Sequence, residues 1–298
     1  MSASATATRS STTLSGAGEL AEPRIARQRR QFWNPLLVLG FGIVGLVTLF
    51  VLIYPQISPH SPTEPNFSVP TFAPSSWAHP LGTDNFGRDT LTRLAYGGRI
   101  DLVIALAATS VTLMVGGALG LLAGYFGGWF DSLLMRLVDF TLTIPYLVLV
   151  IAIVAVLGTG TWNIVYAIWL VGWVAYARII RAETLVARRL EYVEAARVIG
   201  MGEPRIMLRH IVPNVISAAL IFAMADMVLN ILVSSSLSFL GLGVQPPNPE
   251  WGVMVAEARD FFLRDWRLMT YPGLAVLIVG AGFGLIGDGL AQALRPKG

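Results

Sequence analysis

The residues of this chain whose types and spacing could do chemistry lie in a charged window at 178–213. The window holds seven Arg and four Glu, whereas the long segments on either side of it are almost uncharged. Glu194 and Arg197 are three residues apart, so on a helix they can form a surface ion pair worth about 0.2 to 0.5 kcal/mol. Ala195 and Ala196 lie between them and allow another backbone to approach closely. These residue types predict either an ordinary solvated helix or a docking surface, and they indicate no bond-making chemistry.

Several other kinds of site are excluded by composition. The chain has no Cys, which excludes disulfides and thiolate metal sites, and its three His, at 60, 79 and 210, are too scattered to predict a His-built metal site. It has no GxxxxGK[ST] phosphate loop, and its only Lys is Lys297. The basic residues flank apolar runs without interleaved aromatic residues, which argues against nucleic acid. We therefore expect no catalytic residue, cofactor or metal on this chain.

The rest of the composition is that of a membrane protein. Hydrophobic residues make up 54% and charged residues 13% of the 298 residues, and the mean hydropathy is +0.64, whereas soluble domains are about a quarter charged. About 20 apolar residues in a helix span a bilayer. The apolar runs are 36–54, 102–126, 140–177, 214–240 and 268–287. The third would be about 57 Å long as one helix, so we expect a break at Gly158-Thr-Gly-Thr161. The prediction is an all-α integral membrane protein with six transmembrane helices.

The positive-inside rule gives the orientation of these helices. Fourteen of the 21 Lys and Arg fall in the two tails and the charged window, whereas six fall in the opposite loops. The N and C termini and the window are therefore predicted to be cytoplasmic. The first apolar run is too long for a cleaved signal peptide. The predicted organisation is a disordered cytoplasmic tail (1–30), a first transmembrane helix (31–56), an external loop with an interfacial helix (57–100), a five-helix core (101–292) with a cytoplasmic loop at about 183–213, and a cytoplasmic tail (293–298).

Within the window, residues 183–199 lack a helix breaker and predict one helix. Gly200 is expected to end it in the left-handed conformation, and Glu203-Pro204 to start the next helix. Outside the membrane, Thr83 or Asp84 is expected to cap a helix whose charged residues lie in the interface or form a docking surface at the outer mouth. Trp251 is expected to belong to an aromatic belt.

A polar stripe crosses the fifth predicted span. Asp226, Asn230 and Ser234 follow one another at a spacing of four residues, which places them on one helical face. Polar residues inside a membrane span are candidates for a substrate path. Packing between helices through small and hydroxyl side chains explains the same stripe, so both interpretations remain open.

Three motifs carry a resemblance to a known family. The segment Glu194-Ala-Ala, followed by Gly200 and ending at Pro213, resembles the EAA loop of permease subunits in binding-protein-dependent ABC importers, although His210 and Val212 depart from the usual pattern. The segments 79–89 (HPLGTDNFGRD) and 236–247 (SLSFLGLGVQPP) are similar to the oligopeptide and dipeptide branch. The segment 287–296 (GDGLAQALRP) is similar to the C-type subunit of that branch, which includes nickel permeases.

The resemblance implies a type I importer permease of the MetI-like fold in the plasma membrane. Glu194, Ala195, Ala196, Arg197 and Gly200 would couple the channel to ATPases that bind ATP and Mg²⁺. The implied partners are a second, B-type permease subunit, two cytoplasmic ATPase subunits or domains, an external substrate-binding protein and the lipid bilayer. The expected cargo is a dipeptide or oligopeptide, with nickel or another small solute as the alternative. A secondary transporter is a less favoured alternative, because no inverted repeat or intramembrane ion-pair relay is visible. A channel is disfavoured because the chain has no filter-like loop.

Overall fold

A computed structural model describes residues 34–294. The predicted tail at 1–30 and most of the tail at 293–298 therefore lie outside the described residues. Within that range the regular structure is helical, apart from one isolated bridge between Thr83 and Asp89. The helices are α1 (Pro35–Ile57), α2 (Thr90–Phe126), α3 (Gly128–Leu142), α4 (Tyr146–Leu157), α5 (Thr161–Ala187), α6 (Glu191–Val198), α7 (Glu203–Ile206), α8 (Val212–Phe239), α9 (Trp251–Ala258) and α10 (Arg267–Leu294). A π-helical turn (Met207–Ile211) joins α7 to α8, and a 3₁₀ turn (Arg259–Phe261) follows α9. The all-helical prediction is confirmed.

Among residues 34–294, five spans are long and apolar enough to cross a membrane, and the α3–α4 pair makes a sixth if it is counted as one span. The predicted break after Leu157 is present, and Gly158 and Gly160 have φ of 91° and 130°. The third span is bent, because α3 and α4 meet at an angle of 87°. Pro145 lies at the start of α4 and explains the bend, since proline disfavours helical backbone in the residue before it.

The predicted interfacial helix is not a separate helix, because the amphipathic segment is the beginning of α2. Asp89, rather than Thr83 or Asp84, caps this helix by accepting from the backbone N–H of Thr92 at 2.8 Å. The charged side chains of the segment are mostly buried, with Arg93 at 2% exposure. They are buried because they have partners in the fold: Arg88 Nε lies 2.7 Å from Asp84 Oδ2, and Arg93 Nη2 lies 2.5 Å from Oε2 of Glu257 in α9.

Trp251 does not belong to an aromatic belt. Its side chain is 1% exposed and packs against α2, where Gly98 leaves room for the indole ring. The indole Nε1 donates to the carbonyl of Leu94 at 3.0 Å, and the backbone N–H of Trp251 donates to Asp101 Oδ2 at 3.1 Å. The start of α9 is therefore fixed on the outer third of α2.

Three glycines in α2 hold α2 and α5 together. A Cβ added at Gly116, Gly120 or Gly124 would come within 3.0 Å of a backbone oxygen of α5. The glycines are four residues apart, and so are the α5 residues that they meet, which are Trp173, Ala177 and Arg181. Small residues at this spacing let helix backbones approach closely in a membrane. This close packing places the end of α5, where the charged window begins, beside the C-terminal end of α2.

Candidate docking surface

The predicted helix at 183–199 is interrupted, and the interruption shapes the site. Helix α5 ends at Ala187 and α6 begins at Glu191. Between them, the guanidinium of Arg188 donates to the carbonyls of Gly124 and Tyr125, each at 3.0 Å. These carbonyls lie in the last turn of α2, where helix geometry leaves them without intrahelical partners. Arg188 therefore fastens the start of the hairpin to α2, and the chain turns there.

Helix α6 buries one face and exposes the other. Val193 and Ala196, three residues apart, are 0% and 4% exposed and pack in a cluster with Ile206 and Ile211. The sequence prediction that both alanines form a surface is therefore wrong for Ala196, whose side chain belongs to this core. Ala195 is exposed and remains available for contact.

Gly200 ends α6 as predicted. Its φ is +81°, its N–H donates to the carbonyl of Arg197 at 2.9 Å, and the N–H of Met201 donates to the carbonyl of Ala196 at 3.1 Å. This pair of hydrogen bonds is a Schellman cap, which requires a left-handed residue at the position of Gly200. Helix α7 then starts at Glu203 with Pro204 in its first turn. The result is a hairpin of two short helices.

The charged members of the predicted site lie at the edge of this hairpin. Glu194 Oε1 and Arg197 Nη1 are 2.8 Å apart, and the two side chains are 57% and 32% exposed. The guanidinium of Arg197 also lies 5.7 Å from the ring centroid of Tyr125 in α2. An exposed pair of this kind contributes little to stability. Glu194 is thus held in a defined place on the surface rather than used to stabilise the fold.

Sequence reasoning missed the exposed large apolar side chains of the hairpin. Val198 and Ile199 are 87% and 76% exposed, and Leu208 in the π-helical turn is 69% exposed. The sequence carried a signal for Val198, which falls outside the three-residue spacing of the buried pair Val193 and Ala196, whereas Ile199 continues that spacing and carried none. We call Glu194, Ala195, Val198, Ile199 and Gly200 the docking face. An apolar patch with a charged edge, in an otherwise charged segment, is typical of a protein contact.

The hairpin is braced from both sides. The hydroxyl of Tyr125, near the end of α2, donates to the carboxylate of Glu203 at the start of α7. On the other side, the amide of Asn214 in α8 donates to the hydroxyl of Tyr192 in α6 at 2.6 Å. These contacts connect the hairpin to α2 and α8.

The polar stripe predicted as a substrate path lies inside the subunit. Asp226, Asn230 and Ser234 are 7%, 0% and 0% exposed. Asp226 Oδ2 accepts from Tyr176 of α5 at 3.0 Å and from Thr109 of α2 at 3.2 Å, as well as from Asn230 at 3.2 Å. In this conformation the stripe joins α2, α5 and α8, as the packing interpretation requires. Its role in a translocation path stays a prediction.

The fold also brings together two of the three His that appear scattered in the sequence. The ring centroids of His60 and His79 are 4.6 Å apart. One ligand atom from each of these rings and one from Asp89 lie within 4.8 Å of one another. The sequence could not predict this arrangement, because 18 residues separate the two His and nothing in the segment fixes its path.

Comparisons with known proteins agree with this architecture. Residues 116–297 match the family model described as binding-protein-dependent transport system inner membrane component. The chain is 38% identical to the glutathione transport system permease protein of Pectobacterium atrosepticum, over 90% of this chain and 91% of that protein. It is 39% identical to the di/tripeptide transport system permease protein of Pseudomonas aeruginosa, over 90% and 92%. A structure of the MetNI methionine ABC transporter in an inward-facing conformation has a TM-score of 0.55 at 14% identity, covering 68% of this chain and 97% of that chain.

Proposed function

The chain belongs to the family of inner-membrane components of binding-protein-dependent transport systems, and from this premise we propose that it forms half of a channel for short peptides. As a multi-pass component of an ABC importer it works with other subunits. We propose that these are a second homologous permease subunit, two cytoplasmic ATPase subunits or domains, and an external substrate-binding protein. ATP and Mg²⁺ are bound by the ATPases, which fits the absence of a phosphate loop from this sequence.

The observation that carries the proposal is the docking face. Val198 and Ile199 are more than three-quarters exposed although they lie on a capped and braced helix. Exposed apolar side chains on a rigid segment are explained when a partner covers them. Closure of the ATPases around ATP would move the hairpin, and the braces at Tyr125 and Asn214 would pass the movement to α2 and α8. ATP then favours one conformation of the channel because it binds better to the closed ATPases.

The proposed cargo follows from the names of the relatives. They are named for glutathione and for di- and tripeptides, and a relative in Escherichia coli, 36% identical over 264 residues, is named as a probable D,D-dipeptide permease. All of these cargoes are short peptides. Nickel or another small solute is the alternative, and the external binding protein would make most of the selection.

The test is transport by the complete complex in proteoliposomes with its own binding protein, comparing di-, tri- and longer peptides with Ni²⁺. Val198→Asp places a charge on the docking face, and Val186→Asp is the matched control at the cytoplasmic end of α5, where the side chain is 66% exposed. We expect Val198→Asp to lower both ATPase copurification and peptide uptake at least tenfold, and the control to leave both unchanged. Unchanged uptake in Val198→Asp would refute the docking face, whereas uptake of Ni²⁺ alone would refute only the cargo.

A further inference from the structure

A cavity on the segment between α1 and α2 is lined by side chains that have no part in the proposed transport cycle. It has a volume of about 270 Å³, and its lining includes His60, His79, Glu64, Asp89 and Arg88. His60 follows α1 closely, whereas His79 and Asp89 come shortly before α2. The cavity is therefore the place where the two ends of this segment meet.

Hydrogen bonds fix how each imidazole can act. His79 Nδ1 lies 3.0 Å from Asp89 Oδ1, and Asp89 Oδ2 already accepts from Thr92. The carboxylate accepts, so Nδ1 of a neutral His79 carries the hydrogen and its Nε2 keeps a free lone pair. His60 Nε2 lies 2.9 Å from the carbonyl oxygen of Ala78, which can only accept. His60 thus keeps a free lone pair on Nδ1, and both rings can act as metal ligands.

The surroundings favour a cation. A histidine that binds a metal usually donates the N–H of its second ring nitrogen to a carboxylate, which holds the ring in place. Asp89 has this relation to His79. Glu64 is exposed at the same cavity and can supply an oxygen ligand. Arg88 brings a positive charge, but its guanidinium is paired with Asp84 at 2.7 Å and Glu257 at 3.3 Å.

We infer that His60 and His79, supported by Asp89 and completed by Glu64, bind a divalent transition-metal ion such as Zn²⁺. Two imidazoles and a carboxylate suit Zn²⁺, Ni²⁺ or Co²⁺ and give little preference to Mg²⁺ or Ca²⁺, which select oxygen ligands. One candidate ligand atom each of His60, His79 and Asp89 lie within 4.8 Å of one another. Zinc–nitrogen bonds of about 2.0 to 2.1 Å therefore require the two imidazoles and the carboxylate of Glu64 to move closer together around the ion. A small shift of the half-buried His60 side chain that keeps its hydrogen bond to Ala78 can supply part of this movement.

A bound ion would cross-link the two ends of the segment at 58–89 and hold the start of α2 to the end of α1. This consequence is independent of the cargo and of the ATPases. It predicts that Zn²⁺ slows hydrogen exchange of backbone amides in this segment. Exchange in the docking hairpin, which is far along the chain, would not change.

The experiment uses the full chain in its purified complex, stripped of metal with a chelator. Calorimetric titration with Zn²⁺ should give about one ion per chain, and Mg²⁺ at the same concentration should give no binding. His60→Ala and His79→Ala should each weaken zinc binding at least tenfold. His210→Ala is the matched control, because it removes the only other His of the sequence, and it should bind zinc as the wild type does.

A second measurement does not depend on the variants folding. The zinc K-edge absorption spectrum of the wild-type complex should show two imidazole ligands per ion. A spectrum without imidazole scattering would overturn the assignment, and so would zinc binding that is unchanged in His60→Ala and His79→Ala. Failure of the wild type to bind zinc at micromolar concentration would overturn it as well.

Discussion

Gly200 allows the coupling hypothesis to be tested with a matched pair of glycines. Gly200 and Gly202 both lie in the turn of the hairpin, and a Cβ added at either would meet no atom within 4 Å. They differ in backbone, because Gly200 has φ +81° and Gly202 has φ −64°. A side chain in the left-handed region costs roughly 1 to 2 kcal/mol. Gly200→Ser should therefore disfavour the cap by about 5- to 30-fold, and Gly202→Ser should not.

The assay is peptide uptake in proteoliposomes measured together with ATP hydrolysis. Gly200→Ser should leave the complex assembled and lower the amount of peptide moved per ATP, because the end of α6 loses its fixed position. Gly202→Ser should behave as wild type, since serine is a favoured N-cap residue and Gly202 occupies the N-cap of α7. Gly200→Asn should lie between the two, because asparagine tolerates left-handed backbone. Wild-type coupling in Gly200→Ser, or an equal loss in both serine variants, would refute the reasoning.

Two further predictions concern stability. Gly120→Ala should lower the yield and thermal stability of the purified subunit because its Cβ would collide with α5, whereas Gly117→Ala, which meets nothing within 4 Å, should keep or raise both. Glu257→Gln should destabilise the fold by about 1 to 3 kcal/mol, because it removes the nearest charged partner of the buried Arg93, which keeps Asp84 Oδ2 at 3.5 Å, whereas Asp260→Asn, which breaks an exposed pair, should cause no measurable change in the melting temperature.

Apolar runs and breakers were sufficient to predict the fold class, since the length of a membrane span and the conformation of Gly and Pro are local properties. Gly158 and Gly200 have the positive φ values expected of them. The interruption at Arg188 was not predictable in this way, because it depends on carbonyls of Gly124 and Tyr125 more than 60 residues earlier. Helix propensity depends only on the residues of the segment itself, so it contains no information about such distant acceptors.

Distant partners also explain why the charged segment at the start of α2 was predicted as an interfacial helix. A run of charged residues beside a membrane predicts an interfacial helix when each charge is assumed to need water. Arg93 instead finds Glu257, 164 residues away, and is buried with it. The docking face shows the opposite case, because Val198 and Ile199 would ordinarily be assigned to a core. In both places the residue type alone does not decide the burial.

The length of α2 has a mechanical consequence. At 1.5 Å per residue its 37 residues make a rod of about 55 Å. Its first turn contains Arg93, which pairs with Glu257 of α9, and carbonyls of its last turn accept from Arg188. As a stiff lever, the rod would swing its far end by about 5 Å for a tilt of about 5°. A small push on the cytoplasmic hairpin would thus reach the outer mouth as a movement the size of a side chain.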